Sequence, residues 1–158
     1  MRYVYASPDY INVLNNSTPI AEHVQVDFEL RGCPINQHQL IEVIQSLLAG
    51  RTPRTPRHSV CLDCKRRGTI CITVAQGIAC LGPVTQSGCN SICPSFSRGC
   101  YGCYGPAAQS NLVSLSTHNI KEGDSPQQAA HRLQNFNNYA HAFRNESQRI
   151  LNENQEQV

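Results

Sequence analysis

Near its start, the chain carries two patterns of hydrophobic positions. In residues 23–30 apolar and polar side chains alternate, which is typical of a strand. In residues 36–50 the apolar positions recur at helical spacing and end at Gly50, which predicts a helix with a glycine stop. The strand face would consist of Val24, Val26, Phe28 and Leu30, and the helical stripe of Leu40, Ile41, Ile44, Leu47 and Leu48.

A second helical pattern occupies the end of the chain. Ser125 is a typical N-cap and Pro126 suits the first helical position. The stripe that follows has a spacing of four and three and consists of Ala129, Leu133, Phe136, Ala140, Phe143, Ser147 and Ile150. Such a narrow stripe on one long helix fits packing along another helix or a partner, and it fits equally well the covering of this chain's own core.

Between these regions, residues 59–106 follow a rhythm of Cys, Gly and Pro. Only residues 72–78, with the sequence ITVAQGI, are long enough for a strand or a short hairpin. We predict that this segment buries too little apolar surface to offset its ordering entropy, so that bound metal must supply the missing free energy. The predicted fold class is therefore α+β and irregular, with a Cys/Gly/Pro-rich segment between a short α/β part and a C-terminal amphipathic helix.

The composition of the chain argues against several classes of protein. The formal charge of +2 is too small to indicate nucleic-acid binding, and no apolar run approaches the roughly 18 residues of a membrane helix. The first residues lack the basic and apolar parts of a secretory signal, so we expect a cytoplasmic protein. The chain has nine cysteines, an odd number that would leave one thiol unpaired in a disulfide framework. Disulfides are also rare in a reducing compartment such as the cytoplasm. The cysteines are predicted to be metal ligands.

Eight of the nine cysteines form two sets of four. The first set is Cys61, Cys64, Cys71 and Cys80, and the second is Cys89, Cys93, Cys100 and Cys103. A zinc ribbon needs two Cys-x2-Cys pairs for one ion, whereas each set here contains only one such pair. Pro follows Cys93 directly, as it follows the last ligand of bacterial ferredoxin motifs. The spacing favours iron–sulfur clusters, and zinc stays open as the alternative.

The order of motifs resembles a known family. The segments RGCPIN, VCLDCKRRGTIC, CLGPVTQSGCNSICP and RGCYGCYGP, together with the helix after the first of them, are similar to the small (delta) subunit of cytoplasmic nickel–iron hydrogenases. The sulfhydrogenase type that couples to NAD(P) resembles the chain most. A more distant resemblance is to the superfamily of the 20-kDa subunit of respiratory complex I. The likeness covers residues 20–106.

The resemblance implies the ligands of three clusters in line. It makes Cys33 the last ligand of a proximal 4Fe–4S cluster. It assigns a distal 4Fe–4S cluster to Cys61, Cys64, Cys71 and Cys80, and a medial one to Cys89, Cys93, Cys100 and Cys103. In many relatives a His is the first distal ligand, and His58 precedes Cys61 by three residues. Because four cysteines already serve that cluster, His58 is not assigned to it.

The resemblance also implies a division of the chain. Residues 1–50 would be a remnant of the family's flavodoxin-like α/β domain, 51–58 a basic Pro-rich linker, 59–106 a two-cluster domain, and 107–158 a C-terminal helix and tail. The family's flavodoxin-like domain supplies three further cysteines to the proximal cluster, and no cysteine precedes Cys33 here. The proximal site is therefore expected to be incomplete in this chain.

The function that follows is electron transfer without a catalytic residue of its own. Electrons would pass between a large subunit carrying nickel–iron and a flavin- and NAD(P)-binding or ferredoxin-like partner. No His is paired with Asp or Ser at catalytic spacing. Two alternatives stay open, namely a zinc-stabilised scaffold or interaction module without redox function and a nonfunctional remnant that fails to retain iron.

Overall fold

The structure is a computed structural model that describes residues 6–10 and 16–155. The α-helices in this part of the chain are α1 (Gln37–Leu48), α2 (Val60–Arg67), α3 (Ile72–Gln76), α4 (Ile92–Ser95), α5 (Leu112–Lys121), α6 (Pro126–Gln134) and α7 (His141–Gln155). Short 3-10 helices span Pro8–Tyr10 and Ile20–Glu22. Within the described ranges, β-structure is limited to two isolated bridges, Ser59 with Gln86 and Thr85 with Pro106. No described helix is long and apolar enough to cross a membrane.

Helix α1 confirms the helix predicted for residues 36–50. It begins because the Asn36 side chain accepts hydrogen bonds from the backbone N–H groups of His38 and Gln39, at 2.9 and 3.2 Å. It ends before Gly50, whose φ of +66° a glycine adopts without strain. The apolar stripe, however, does not face a core within the described part of the chain. Its five members are 41 to 85% exposed, while Val43 is the apolar residue that α1 buries.

Two predicted strands are wrong. Residues 23–30 have no strand partner and are irregular after the turn at 20–23. Residues 72–78 form the short helix α3, which ends at Gly77 with φ +66°. The alternation of side chains could not settle either case, because a strand is stable only where a neighbouring strand satisfies its backbone groups.

The C-terminal pattern forms α6 and α7 instead of one long helix. Ser125 caps α6 as predicted, and Ser125 and Gln128 exchange side-chain and backbone hydrogen bonds as a capping box. The helical path stops after Gln134, and Asn137 takes a left-handed φ of +54° before α7 begins. Helix α5, which the sequence pattern did not predict, packs against both α6 and α7.

The stripe on α6 and α7 covers this chain's own core. Its buried apolar members pack together with residues of α5 and of the cysteine-rich segment. The cluster consists of Leu81, Val84, Leu112, Ala129, Ala130, Leu133, Phe143 and Ile150. Leu81 and Val84 lie in residues 59–106, so this segment contributes apolar side chains to the core, and its dependence on bound metal for folding stays a prediction. The three C-terminal helices therefore serve as the base on which the cysteine-rich segment rests.

The basic linker 51–58 is held at both ends. Arg51 Nη1 lies 2.8 Å from Glu42 Oε1 on α1, and this hydrogen bond is the main reason that the pKa of Glu42 falls to about 2. At the other end, the His58 carbonyl accepts a hydrogen bond from the Ser87 backbone N–H at 2.9 Å. The division into four segments stays a prediction.

A buried carboxylate in the helical base leads to a pH prediction. Burial opposes the charge of Glu146, but hydrogen bonds from Arg149 and Ser116 outweigh it and lower the pKa of Glu146. The stability that this pair contributes is therefore fully present above the ordinary Glu pKa of about 4.3, and it is lost as pH falls through the lower folded value.

The substitution Glu146→Gln should reduce the free energy of unfolding at pH 7 by about 1–3 kcal/mol, because it removes a buried charge-assisted bond. The variant should also lose less of its free energy of unfolding than the parent as pH falls below 4. Urea titrations of both proteins at several pH values would measure these effects. The exposed residue Glu153 offers the matched control Glu153→Gln, with an effect within about 0.5 kcal/mol. Equal effects of the two substitutions would contradict this account.

Candidate metal centre

The second cysteine set surrounds a cavity. Cys89, Cys93, Cys100 and Cys103 all line one space of about 300 Å³, and Cys33 lies at the same space. The apolar side chains of Val60 and Ile92 and the ring of Tyr104 are among the other walls. Four cysteines that the sequence assigns to one group thus line the same cavity.

The backbone near this cavity contains several residues with left-handed φ values. Asn90 and Ser91 take left-handed φ values of +53° and +51° and direct the chain into α4, which carries Cys93 in its first turn. Between Cys100 and Cys103 the chain turns at Gly102, whose φ is +83°. The buried hydroxyl of Ser91 lies beside Cys64 of the first set, where its hydrogen bond to the thiol partly opposes the burial that raises the pKa of Cys64.

The first cysteine set comes together at the surface. Cys61 and Cys64 lie one turn apart on α2, Cys71 is the residue before α3, and Cys80 follows in a loop. Burial, with the charges of the other three sulfurs, raises the pKa of the Cys61 thiol to about 11. The backbone of Gly82 lies close to two of these sulfurs. A Cβ at position 82 would stand 3.2 Å from Cys80 Sγ and 3.6 Å from Cys61 Sγ.

Cys80 joins the two sets. Its sulfur accepts backbone hydrogen bonds from Gly82 at 3.4 Å and from Cys100 at 3.2 Å. Cys100 belongs to the second set, so one N–H···S bond connects a predicted ligand of one cluster to a predicted ligand of the other. Hydrogen bonds to sulfur stabilise thiolate and are one of the means by which proteins tune a cluster's potential.

Burial favours the protonated form of the enclosed thiols. Burial raises the pKa of Cys100 to about 12, and it also raises the pKa values of Cys93 and Cys103. All nine cysteines are free thiols. Loading with iron or zinc would therefore release protons, since only thiolates ligate these metals. Among the described residues, no three His, Cys, Asp or Glu side chains stand close enough to ligate a single ion together.

His58, which was not assigned to the distal cluster, contacts a carboxylate. Its Nε2 lies 3.3 Å from Asp63 Oδ1, and the other oxygen of this buried carboxylate accepts a hydrogen bond from Ser87. Asp63 thus ties the linker, α2 and the loop before Cys89 together. The sequence pattern did not indicate this role, although a single acid inside a Cys-x2-Cys pair was a visible signal.

Two more residues hold the second set in place. Tyr104 donates a hydrogen bond from its hydroxyl to the Pro34 carbonyl at 2.9 Å, which explains why Cys33, although exposed, lies at the cavity. Asn137, in the turn between α6 and α7, donates to the carbonyls of Gly102 and Cys103 at 3.0 and 2.9 Å. Neither residue could be singled out from sequence, because both partners are distant in the chain.

Comparison with known proteins gives hydrogenase subunits as relatives. No protein-family model matches the chain. It is 35% identical over 135 residues to the delta subunit of sulfhydrogenase 2 from Pyrococcus furiosus, which covers 85% of this chain and 56% of that protein. It is 32% identical over 127 residues to the G subunit of the F420-non-reducing hydrogenase from Methanothermobacter marburgensis, covering 67% of this chain and 41% of that protein.

A third relative carries the cofactor class in its name. The iron–sulfur G subunit of the F420-non-reducing hydrogenase from Archaeoglobus profundus is 29% identical over 121 residues, which covers 59% of this chain and 37% of that protein. The chain thus spans roughly half the length, or less, of the curated relatives that it matches. Its homologues are hydrogenase delta and G subunits, which confirms the hydrogenase resemblance at this level.

Proposed function

We propose that this chain is an electron-transfer part of a nickel–iron hydrogenase and holds two 4Fe–4S clusters. The observation that carries the proposal is the pair of cysteine sets joined at Cys80, one of them around a cavity of about 300 Å³. The relatives named as hydrogenase delta, G and iron–sulfur subunits support the same function. Iron–sulfur clusters would supply one-electron chemistry, which none of the side chains here can perform.

The residues have binding and tuning roles in this proposal. The first set would hold the cluster nearer the surface, since Cys71 is exposed, and the second set the cluster in the more enclosed cavity. Backbone N–H groups of Gly82 and Cys100 stabilise negative charge on the Cys80 sulfur. No residue needs to act as acid, base or nucleophile.

The contact at Cys80 gives electrons a short route between the two sets. From Cys80 Sγ the route crosses one hydrogen bond to the Cys100 backbone nitrogen and then follows the bonds of Cys100 to its own sulfur. Leu81 and Val84 pack on the helical base, which holds this segment against it. A fixed separation between the sets is what a relay requires, because transfer depends steeply on distance.

We further propose the partners that the sequence resemblance implies. A large subunit with a nickel–iron site would exchange electrons with the enclosed cluster, and a flavin- and NAD(P)-binding or ferredoxin-like protein with the outer one, in the cytoplasm. Cys33 would contribute one ligand to a third, proximal 4Fe–4S cluster whose other ligands are not among this chain's nine cysteines. Cys33 is exposed and lines the cavity of the second cysteine set, which supports a position next to that cluster.

Metal content tests the proposal directly. Protein reconstituted with iron and sulfide without oxygen should bind about eight iron and eight sulfide per chain, one four-iron cubane for each cysteine set. It should be brown, with broad visible absorption that bleaches on reduction. The variant Cys93→Ser should lose iron from the second set while the first set keeps about four. A colourless protein that binds zinc and retains no iron would overturn the proposal in favour of a zinc scaffold.

A further inference from the structure

We propose that the surface around Cys71 binds the acidic face of a small electron-carrier protein. This inference rests on the function proposed above and names the partner of the outer cluster by its surface chemistry. The contact surface consists of Lys65, Arg66, Arg67, Ile70, Cys71 and Val74, which we call the exit surface. It joins the last turn of α2 to the start of α3.

The exit surface is basic. Lys65, Arg66 and Arg67 are consecutive and exposed, and within the described ranges none of them pairs with an acidic side chain. The surrounding sequence offers no neutralisation, since no Asp or Glu occurs anywhere from residue 64 to residue 121. The nearest acid in sequence, Asp63, is buried and bound to Ser87 and His58. The positive charge is therefore available to a partner that carries negative charge.

The centre of the exit surface is apolar. Ile70 is 74% exposed and Val74 is 87% exposed, and exposed Cys71 lies between them in sequence. Exposed aliphatic side chains that follow three exposed cations closely in sequence suit a protein interface, in which an apolar patch has a charged rim. The charges would guide the encounter, and the aliphatic side chains would be covered once the partner has docked.

The exit surface includes one member of the first cysteine set, the exposed Cys71. Cys71 is close enough for its charge to act on both Cys61 and Cys64. A partner seated on Ile70 and Val74 would therefore approach the outer cluster at its exposed ligand, with no further layer of protein between them. Charge, apolar contact and access to the redox centre thus coincide at one place.

A competing role for the cations is to balance the negative charge of a cluster. Lys65 has that role in part, because its charge acts on the Cys61 thiol. Arg67 is engaged in structure, since its Nη1 donates to the Asn90 carbonyl at 2.6 Å. Arg66 makes no side-chain hydrogen bond or ion pair within the described part of the chain. Arg66 and Val74 are therefore the residues that separate docking from cluster binding.

The test measures electron transfer from the reduced holoprotein to an oxidised, acidic plant-type [2Fe–2S] ferredoxin by stopped flow. One electron leaves the outer cluster and reduces the ferredoxin, and dithionite in stoichiometric amount supplies it beforehand. The variant Arg66→Glu should slow the second-order rate about tenfold at low salt, with the difference shrinking as salt screens the charges. Val74→Ser should slow it by a similar factor that does not depend on salt.

Controls separate this inference from the function on which it rests. Arg54→Glu, the same change at an exposed arginine of the linker, should leave the rate within about twofold, as expected for a charge outside the contact. With basic cytochrome c as acceptor, Arg66→Glu should be faster than the parent. Normal iron content with unchanged ferredoxin rates in Arg66→Glu would overturn the docking proposal and leave the relay intact.

Two other outcomes are equally informative. Loss of iron in Arg66→Glu but not in Arg54→Glu would assign Arg66 to the charge balance of the cluster and overturn docking. If the parent chain binds no iron, the proposed function fails. Docking is then decided by fluorescence anisotropy of labelled ferredoxin, in which Arg66→Glu must still weaken binding about tenfold at low salt for the surface assignment to stand.

Discussion

Gly99→Ala is expected to lower bound iron from about eight per chain to four or fewer. A Cβ at position 99 would clash with the Ala79 carbonyl oxygen, a contact that requires the backbone to move. Cys80 is the residue after Ala79, and Cys100 is the residue after Gly99. The displacement would therefore separate Cys80 from Cys100 and break the N–H···S bond between the cysteine sets. The Leu81 N–H bond to the Cys100 carbonyl, at 3.0 Å, would be lost with it.

The measurement is iron and sulfide content after anaerobic reconstitution, together with the visible spectrum. The matched control is Gly77→Ala in the same segment, where nothing lies within 4 Å of the added Cβ. Gly77 has φ +66°, so alanine there should cost about 1 kcal/mol of stability while iron content stays near eight. Retention of full iron in Gly99→Ala would show that the link between the sets is not needed to assemble them.

Phe143→Ala is expected to reduce the free energy of unfolding by about 3–5 kcal/mol. Phe143 is completely buried in α7 and belongs to the cluster that joins the helical base to Leu81 and Val84. Its ring also lies against Gly102, where a Cβ would be 3.4 Å from Cε2. Because domains of this size have about 5–15 kcal/mol of stability, the loss takes up a large part of the total.

Denaturant unfolding of the reconstituted protein, followed by circular dichroism and by the visible absorption of the clusters, measures this effect. Both signals should disappear at a lower denaturant concentration, because the same core supports the helices and the second cysteine set. Phe96→Ala is the matched control, since Phe96 is 74% exposed and its truncation should change stability by at most about 0.5 kcal/mol. A cluster signal that persists after the helices of Phe143→Ala have unfolded would show that the cysteine-rich segment is stable without its base.

The sequence by itself determined the local elements whose signals lie within a few residues. Asn36 and Gly50 bracket α1, and Ser125 with Gln128 caps α6, because capping depends on side chains next to the helix end. It also determined the candidate chemistry. The count of cysteines, their two sets and the hydrogenase resemblance all follow from residue type and spacing, and the relatives agree with the last of these.

The tertiary structure decided everything that depends on distant partners. It showed no strand in residues 23–30, where alternation suggested one, and a break at Asn137, where periodicity suggested continuity. It placed Cys33 at the cavity of the second cysteine set, where Tyr104 donates a hydrogen bond to the Pro34 carbonyl. It also joined Cys80 to Cys100, which lie twenty residues apart in sequence. The physical reason is that spacing along the chain limits which residues can share a turn, whereas backbone pairing and core packing join residues whose separation in sequence carries no such signal.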